Sequence, residues 1–505
     1  MMSQSSTSTF KPLWLITSFI VLIGIMLLPV THNLPLMGKA ALAILAFAVI
    51  LWVTEAVSYP VSATLIMGLI IILLGFSPVQ NLSESLGNPQ AGGEILKGSD
   101  LFGTSNALKL AFSGFSSSAV ALVAAALFLA TAMQVTHLHK RLALWVLMLV
   151  GNKTKNIVIG AILVAIILAF FVPSATARAG AVVPILLGMV AAFGVGKESK
   201  LAALLVITAV QAVSIWNVGI KTAAAQNIVA VNFINGQLGQ DISWGEWFLY
   251  AAPWAVIMSI ILYFIMLKVV PPEQQAIEGG KELVKKQLDE LGPIKPKEWR
   301  LIIISILLLL MWSTEKILHP IDSSSITIIA LAFMLLPKVG IMSWKEAESR
   351  IPWGTIIVFG VGISLGTVLL QTNAAQWLSD QTFGLIGLKS MPIVATIAII
   401  SLFNILIHLG FASATSLASA LIPVFISLTT TINLGDQSIG FVLIQQFVIS
   451  FGFLLPVSSP QGMLAYGTET FTVKDFLKVG IPITVIGYLL VVILSMTYWK
   501  WIGLL

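Results

Sequence analysis

Twice in this chain a Ser-Ala-Thr triplet interrupts a long apolar run, at Ser174-Ala175-Thr176 and at Ser413-Ala414-Thr415. Each time a proline follows ten residues after the serine, Pro184 and Pro423. The two serines stand 239 positions apart (174 to 413). Irregular backbone carries N–H and C=O groups that hydrocarbon cannot satisfy, so at membrane depth it persists only where it is buried in protein or lines a cavity. A short polar break repeated in both halves of a very apolar chain points to the binding site of a carrier built from inverted repeats.

The membrane itself follows from composition. Of 505 residues 58% are hydrophobic and 10% charged, whereas soluble domains carry about 25% charged residues. Apolar runs near the roughly 20 residues of a helical span recur between short polar clusters, while a β-barrel would show short alternating segments. The expected fold is therefore an all-α polytopic membrane protein. With no cysteine there is no disulfide and no thiolate metal site, and neither a metal nor a cofactor is expected. The net charge of +6 is small for this length and reads as loop charge facing membrane lipid, with no nucleic-acid partner implied.

In chain order, residues 1–38 read as a polar N-terminal tail and a retained first span, Leu13 to Val30, too long for a signal-peptide core. With no organelle transit peptide, a bacterial inner membrane is the expected location. Residues 39–270 form a first repeat: spans near Ala40 to Val57, Val61 to Leu74 and Ala119 to Val135, with a long polar loop from Ser77 to about Gly114. The cluster His137 to Arg141 and Lys11 place the N-terminus on the cytoplasmic side, where inner loops concentrate Lys and Arg. A re-entrant hairpin is expected over about 156–195 and a broken span over about 201–235, where Gly219 weakens the helix and Lys221 sets a charge at membrane depth. Trp247 to Leu267 closes this repeat. Residues 271–300, with Pro271-Pro272, Gly279-Gly280 and mixed charges, are a cytoplasmic linker, amphipathic at best.

Residues 301–505 repeat the pattern. Trp52-x-Thr54-Glu55 with Pro60 recurs as Trp312-x-Thr314-Glu315 with Pro320, and the spacing of Thr131 and Thr136 recurs at Thr367 and Thr372. The second hairpin falls over about 391–428, its tip at His408 to Thr415. The second broken span covers about 441–470 and is interrupted at Leu455 to Gly462. Carrying the spacing of the triplets forward sets Gly219 against Ser458.

These residues resemble the divalent anion/sodium symporter family over nearly the whole chain. The two triplets sit where that family carries Ser-Asn-Thr at two opposed hairpin tips. The flanks Ala111 to Phe115, Thr176 to Gly180, Leu455 to Pro460 and Thr472 to Gly480 look most like its branch of 2-oxoglutarate/malate translocators and citrate or succinate exchangers. The resemblance implies eleven-span protomers paired as a homodimer, a scaffold part and an elevator-type moving part, and a substrate site at Ser174, Ala175, Thr176, Ser413, Ala414 and Thr415. Thr222, Ser458, Ser459 and Gln461 line the breaks as further contacts.

The departure from the family is the pair of alanines. In sodium-coupled members the asparagines supply hard oxygen ligands, and Ala175 and Ala414 supply none. A dicarboxylate at membrane depth still requires positive charge. Lys221, His408, five residues before Ser413, and Arg178, four after Ser174, are the candidate replacements for sodium. If they serve so, an empty carrier holds buried unpaired cations and crosses poorly, which predicts exchange of C4/C5 dicarboxylates such as 2-oxoglutarate, malate and succinate without sodium. Each residue also has a packing role open to it: a lysine that snorkels, a buried histidine that packs, an arginine that pins carbonyls, and tip hydroxyls that cap helices. Glu55 and Glu315 read as structural. A sodium-coupled symporter is the alternative. An intramembrane hydrolase built on His408 and Ser413 lacks an acid and lacks a histidine in the other repeat. An anion channel would need a continuous polar lining.

Overall fold

A computed structural model describes residues 10–29, 34–78, 101–192, 194–273, 276 and 279–505. Most of the long loop of the first half, with Asn88 to Gly93 and Lys97 to Asp100, lies outside these residues. Among the described residues the protein is helical, with isolated bridges only. Eight of the described helices are long and apolar enough to cross a membrane.

The first helices are α1 (Pro12–Leu27), α2 (Leu36–Thr54), α3 (Tyr59–Leu69, continued by a wider π turn over Ile70–Leu74) and the short α4 (Thr104–Phe112). Then come α5 (Ser118–Thr136), α6 (Leu138–Val150), α7 (Thr154–Phe171) and α8 (Ala175–Ala192). The first repeat ends with α9 (Lys200–Gly219), α10 (Ala225–Leu238) and α11 (Trp244–Val269). The linker contains α12 (Gly280–Leu291). The second half continues with α13 (Pro296–Thr314), α14 (Ser323–Leu335), α15 (Trp344–Glu348) and α16 (Trp353–Gln371). It ends with α17 (Ala374–Thr382), α18 (Ile393–His408), α19 (Ala414–Thr431), α20 (Ser438–Ile449), α21 (Pro460–Tyr466), α22 (Val473–Met496) and α23 (Tyr498–Trp501).

The repeat is written into the backbone. α5 ends at His137 and α16 is followed by Asn373, both left-handed, at φ 60° and 58°. Each turns directly into a helix, α6 or α17. The hairpins α7–α8 and α18–α19 follow, and their second arms are both 18 residues long with Pro184 and Pro423 inside. Both closing spans, α11 and α22, start from a reciprocal cap in which a hydroxyl residue and an acid three positions on satisfy each other's backbone N–H, Ser243 with Glu246 and Thr472 with Asp475. Each carries a proline ten positions after its cap, Pro253 and Pro482.

Several features differ from the sequence reading, among them the end of the long loop, where Thr104–Phe112 form α4. His137 to Arg141 is no loop but the start of α6, a helix which the reading left unassigned; its apolar residues turn inward against α7 and α12. The second break is also wider than Leu455 to Gly462: α20 ends at Ile449, and the chain leaves helical geometry from Ser450. The chain packs closely at Gly452, where a Cβ would stand 3.3 Å from Ser459 Cβ and 3.8 Å from the His408 ring. The chain folds back on itself there.

The two halves interlock. Arm α8 packs on α9 and also on α21 of the other repeat, and arm α19 packs on α20 and also on α10. Each hairpin therefore rests on the far half of the opposite broken span.

Candidate functional site

Both hairpin tips end in a serine that caps the second arm. Ser174 Oγ accepts from the Ala177 N–H at 3.3 Å, and Ser413 Oγ from the Ser416 N–H at 3.3 Å. Ala175 and Ala414 are the first residues of the arms, half-buried, with Thr176 exposed and Thr415 half-buried beside them. Capping satisfies one N–H at each arm's start. The others, with the positive end of the helix dipole, form an environment suited to an anion.

The breaks in the two spans have one geometry. In the first, Ile220 is extended (φ −131°, ψ 126°), Lys221–Ala223 make a single 3-10 turn, Ala224 is extended (φ −147°, ψ 138°) and α10 begins. In the second, Leu455 (φ −120°, ψ 139°), Pro456–Ser458 and Ser459 (φ −153°, ψ 144°) do the same before α21. Residue n of the first break therefore matches n + 235 in the second (220 to 455), not 239. Ser458 is the counterpart of Ala223, and Gly219 corresponds to Leu454, which corrects the match drawn from the triplets. The chain between hairpin and broken span is four residues shorter in the second half, and the triplets lie before that deletion.

The candidate cations take different places. Arg178 is fully buried, and its Nη2 donates to Asn217 Oδ1 and to the Ala223 carbonyl at 3.0 Å. It pins hairpin α7–α8 to the first break, while its Nε and Nη1 have no partner among the described residues. His408, also buried, approaches the backbone of Ser458, and neither ring nitrogen closes a hydrogen bond among the described residues. Since Ser458 matches Ala223, the two hairpins each bring one basic side chain to the same point of the two breaks.

Lys221 is buried, but its Nζ donates at 2.6 Å to the Ile242 carbonyl in the connection before α11. Thr222 likewise accepts from Trp244 Nε1 at 3.2 Å. Both are held on the α10–α11 side. Ser459 Oγ caps α21 through the Gly462 N–H at 3.2 Å, and the buried Ser458 hydroxyl has no partner among the described residues. Glu315 keeps to a structural role, accepting from the Ser323 N–H at 3.2 Å, and Glu55 accepts from the Tyr59 hydroxyl at 3.2 Å.

Sequence reasoning missed the amide cross between the broken spans. Gln226 Nε2 donates to Ser450 Oγ at 3.3 Å, and Gln461 Nε2 to Ser214 Oγ at 3.0 Å. Gln211 Nε2 reaches the Phe453 carbonyl at 3.0 Å, and Gln446 Nε2 reaches Asn227 Oδ1 at 3.2 Å. Asn227 in turn donates to the Asn217 carbonyl at 2.7 Å, beside Arg178. The signal was present: Gln211 and Gln226 stand fifteen residues apart, as do Gln446 and Gln461. Gln211 and Asn227 satisfy backbone carbonyls beside the breaks, and the other amides pair with side chains, inside a membrane where each open polar group costs several kcal/mol.

Comparison with known proteins follows the same lines. Residues 10–505 match a family model described as the sodium:sulfate symporter transmembrane region. A membrane protein of Cupriavidus necator is 47% identical over 482 residues, covering 95% of this chain and 91% of that one. A sodium-dependent dicarboxylate transporter, SdcS, of Staphylococcus saprophyticus is 25% identical over 485 residues, covering 91% of this chain and 86% of its own. The crystal structure of the Alcanivorax borkumensis YdaH transporter superposes with a TM-score of 0.52 at 13% identity, over 78% of this chain and 88% of that one, and shares its fold.

Proposed function

The chain belongs to the family of the sodium:sulfate symporter transmembrane region, a family of transporters and not of enzymes, and from that premise we propose that it exchanges C4/C5 dicarboxylates such as 2-oxoglutarate, malate and succinate without sodium. The name of the Staphylococcus relative supports the dicarboxylate. The observation that carries the exchange reading is the placing of Arg178 and His408 against the matching residues Ala223 and Ser458. The alanines of the triplets offer no oxygen to sodium, and a basic side chain stands beside each break.

The substrate lies between the hairpin tips, with Ser174, Ala175, Thr176, Ser413, Ala414 and Thr415 as its contacts and Ser458 and Ser459 at the edge. Arg178 and His408 balance its charge, with Lys221 and Thr222 behind the first break. Loaded, the moving part is near neutral. Empty, it carries buried cations whose transfer through low dielectric is costly. Crossing is then restricted to loaded carriers. The hairpins, broken spans, α11 and α22 move as an elevator against the remaining helices, in a homodimer of eleven-span protomers in a bacterial inner membrane, N-terminus cytoplasmic.

A sodium-coupled symporter is the second reading, favoured by the sodium dependence in the relative's name. Purified protein in proteoliposomes separates the two. Succinate uptake that needs internal dicarboxylate and ignores sodium supports exchange, whereas sodium-driven uptake into empty vesicles sinks it.

A further inference from the structure

A second space lies away from the tips. Between the start of α6, the middle of arm α8 and the linker helix α12 is a cavity of about 420 Å³. One wall is apolar and built from small residues of the hairpin arm, Gly180, Ala181 and Pro184. The rest of the lining includes His137 at the α5–α6 junction, His139 and Lys140 from α6 and Lys286 from α12, with Glu290 as its single acid. Lys140 and Lys286 enter no ion pair among the described residues.

The wall is not a loose surface. Arg141, next to Lys140, is buried and bonds Glu298 at 2.6 Å and the Gly292 carbonyl at 2.9 Å, so α6 is clamped to the end of α12 and the start of α13. The N-terminus of α6, a helix of 13 residues, opens at the same wall. Two lysines, a helix N-terminus and one carboxylate leave the cavity net positive. Cations fixed over an apolar wall attract anions more strongly than cations on an open surface do.

We infer that this cavity is an anion-binding antechamber, separate from the hairpin tips, which takes small multivalent anions of the dicarboxylate and phosphate class. Lys140 and Lys286 grip the anion from α6 and α12. The assignment depends on the transport reading only for the choice of succinate as one probe.

The test is equilibrium binding of inorganic phosphate and of succinate to the purified full chain in neutral lipid, for wild type, K140Q/K286Q and S174A/S413A. The wild type and the tip variant are expected to bind phosphate. K140Q/K286Q is expected to bind it at least about tenfold more weakly, the size of even one lost charge-assisted contact. Lys286 is exposed and Lys140 half-buried, so the double variant should fold; K286E serves as a second variant with the same expectation. Phosphate and succinate binding unchanged in K140Q/K286Q overturns the inference. So does binding confined to phosphatidylglycerol vesicles, which would make the ligand a lipid headgroup. Lysine-dependent phosphate binding in a protein that fails to exchange dicarboxylates would sink the transport reading alone.

Discussion

Arg178 Nη2 donates to the carbonyl of Ala223 at 3.0 Å, and this bond ties the first hairpin to the first break. Among the described residues no carboxylate pairs with the buried guanidinium, whose partners are an amide and a carbonyl. A charge so placed costs several kcal/mol unless a counter-charge arrives. In the proposed exchange the transported anion is that counter-charge.

Arg178→Lys keeps the cation and loses the planar fork. R178K is expected to fold and to exchange dicarboxylate slowly, still without sodium. R178A strips donors from Asn217 and Ala223, with a loss of about 1–3 kcal/mol and of exchange. Thermal melting and proteoliposome exchange read the two effects separately. An R178A protein that exchanges at the wild-type rate would refute the charge role.

His408→Gln removes a basic group from the second break while keeping polar atoms at a similar reach. With less buried positive charge the empty carrier should cross more readily, so uptake into vesicles without internal substrate should rise relative to exchange. A ratio of the two rates equal to that of the wild type would show that His408 only packs the tip.

Lys221 is a different case, because its ammonium is bonded to Ile242 at 2.6 Å on the far side of the break. Lys221→Gln keeps a donor there and removes the charge. A succinate KM close to wild type with a lowered melting temperature is expected; a large rise in KM at unchanged stability would return Lys221 to the substrate.

Arg141 and Glu298 form a buried pair, 5% and 3% exposed, at 2.6 Å. Breaking a buried pair from one side leaves an uncompensated charge and costs about 3–5 kcal/mol, whereas replacing both partners by apolar residues is often neutral. R141M should therefore melt well below wild type, and R141M/E298L should recover most of the loss. A double variant as unstable as R141M alone would mean that the bonds from Arg141 to the Leu291 and Gly292 carbonyls dominate.

How far the sequence carried this reading depends on the kind of signal. Hairpin tips and breaks were legible because Ser-Ala-Thr and Gly219 interrupt apolar runs that lipid would otherwise keep helical. The start of α6 was not, since His137 to Arg141 has the composition of a loop; its helix is stabilised by tertiary contacts through Arg141 that no local pattern records. The register of the second break was misread for a similar reason. Loop deletions leave no trace in a motif count, and only the paired extended residues, Ile220 with Leu455 and Ala224 with Ser459, fix it. The direction of a side chain is likewise beyond sequence: Lys221 lies in the break yet turns to Ile242, while Arg178 on the hairpin turns into the break.

The amide cross gives the sharpest test of the repeat. Gln226 and Gln461 are counterparts by the register of the breaks, and each donates to a serine of the other half, Ser450 and Ser214. Ser450→Ala leaves the Gln226 amide without its acceptor in a dry interior, and Ser214→Ala does the same to Gln461. Each loss should cost about 1–3 kcal/mol. Because the two bonds join the same pair of broken spans from opposite ends, the variants should weaken melting alike and slow exchange alike, with the double variant worse than either. Melting and exchange of the three proteins provide the check. Marked inequality, with one serine neutral, would mean that the pseudo-symmetry of the backbone is not a symmetry of the energetics, and that one break alone holds the site in shape.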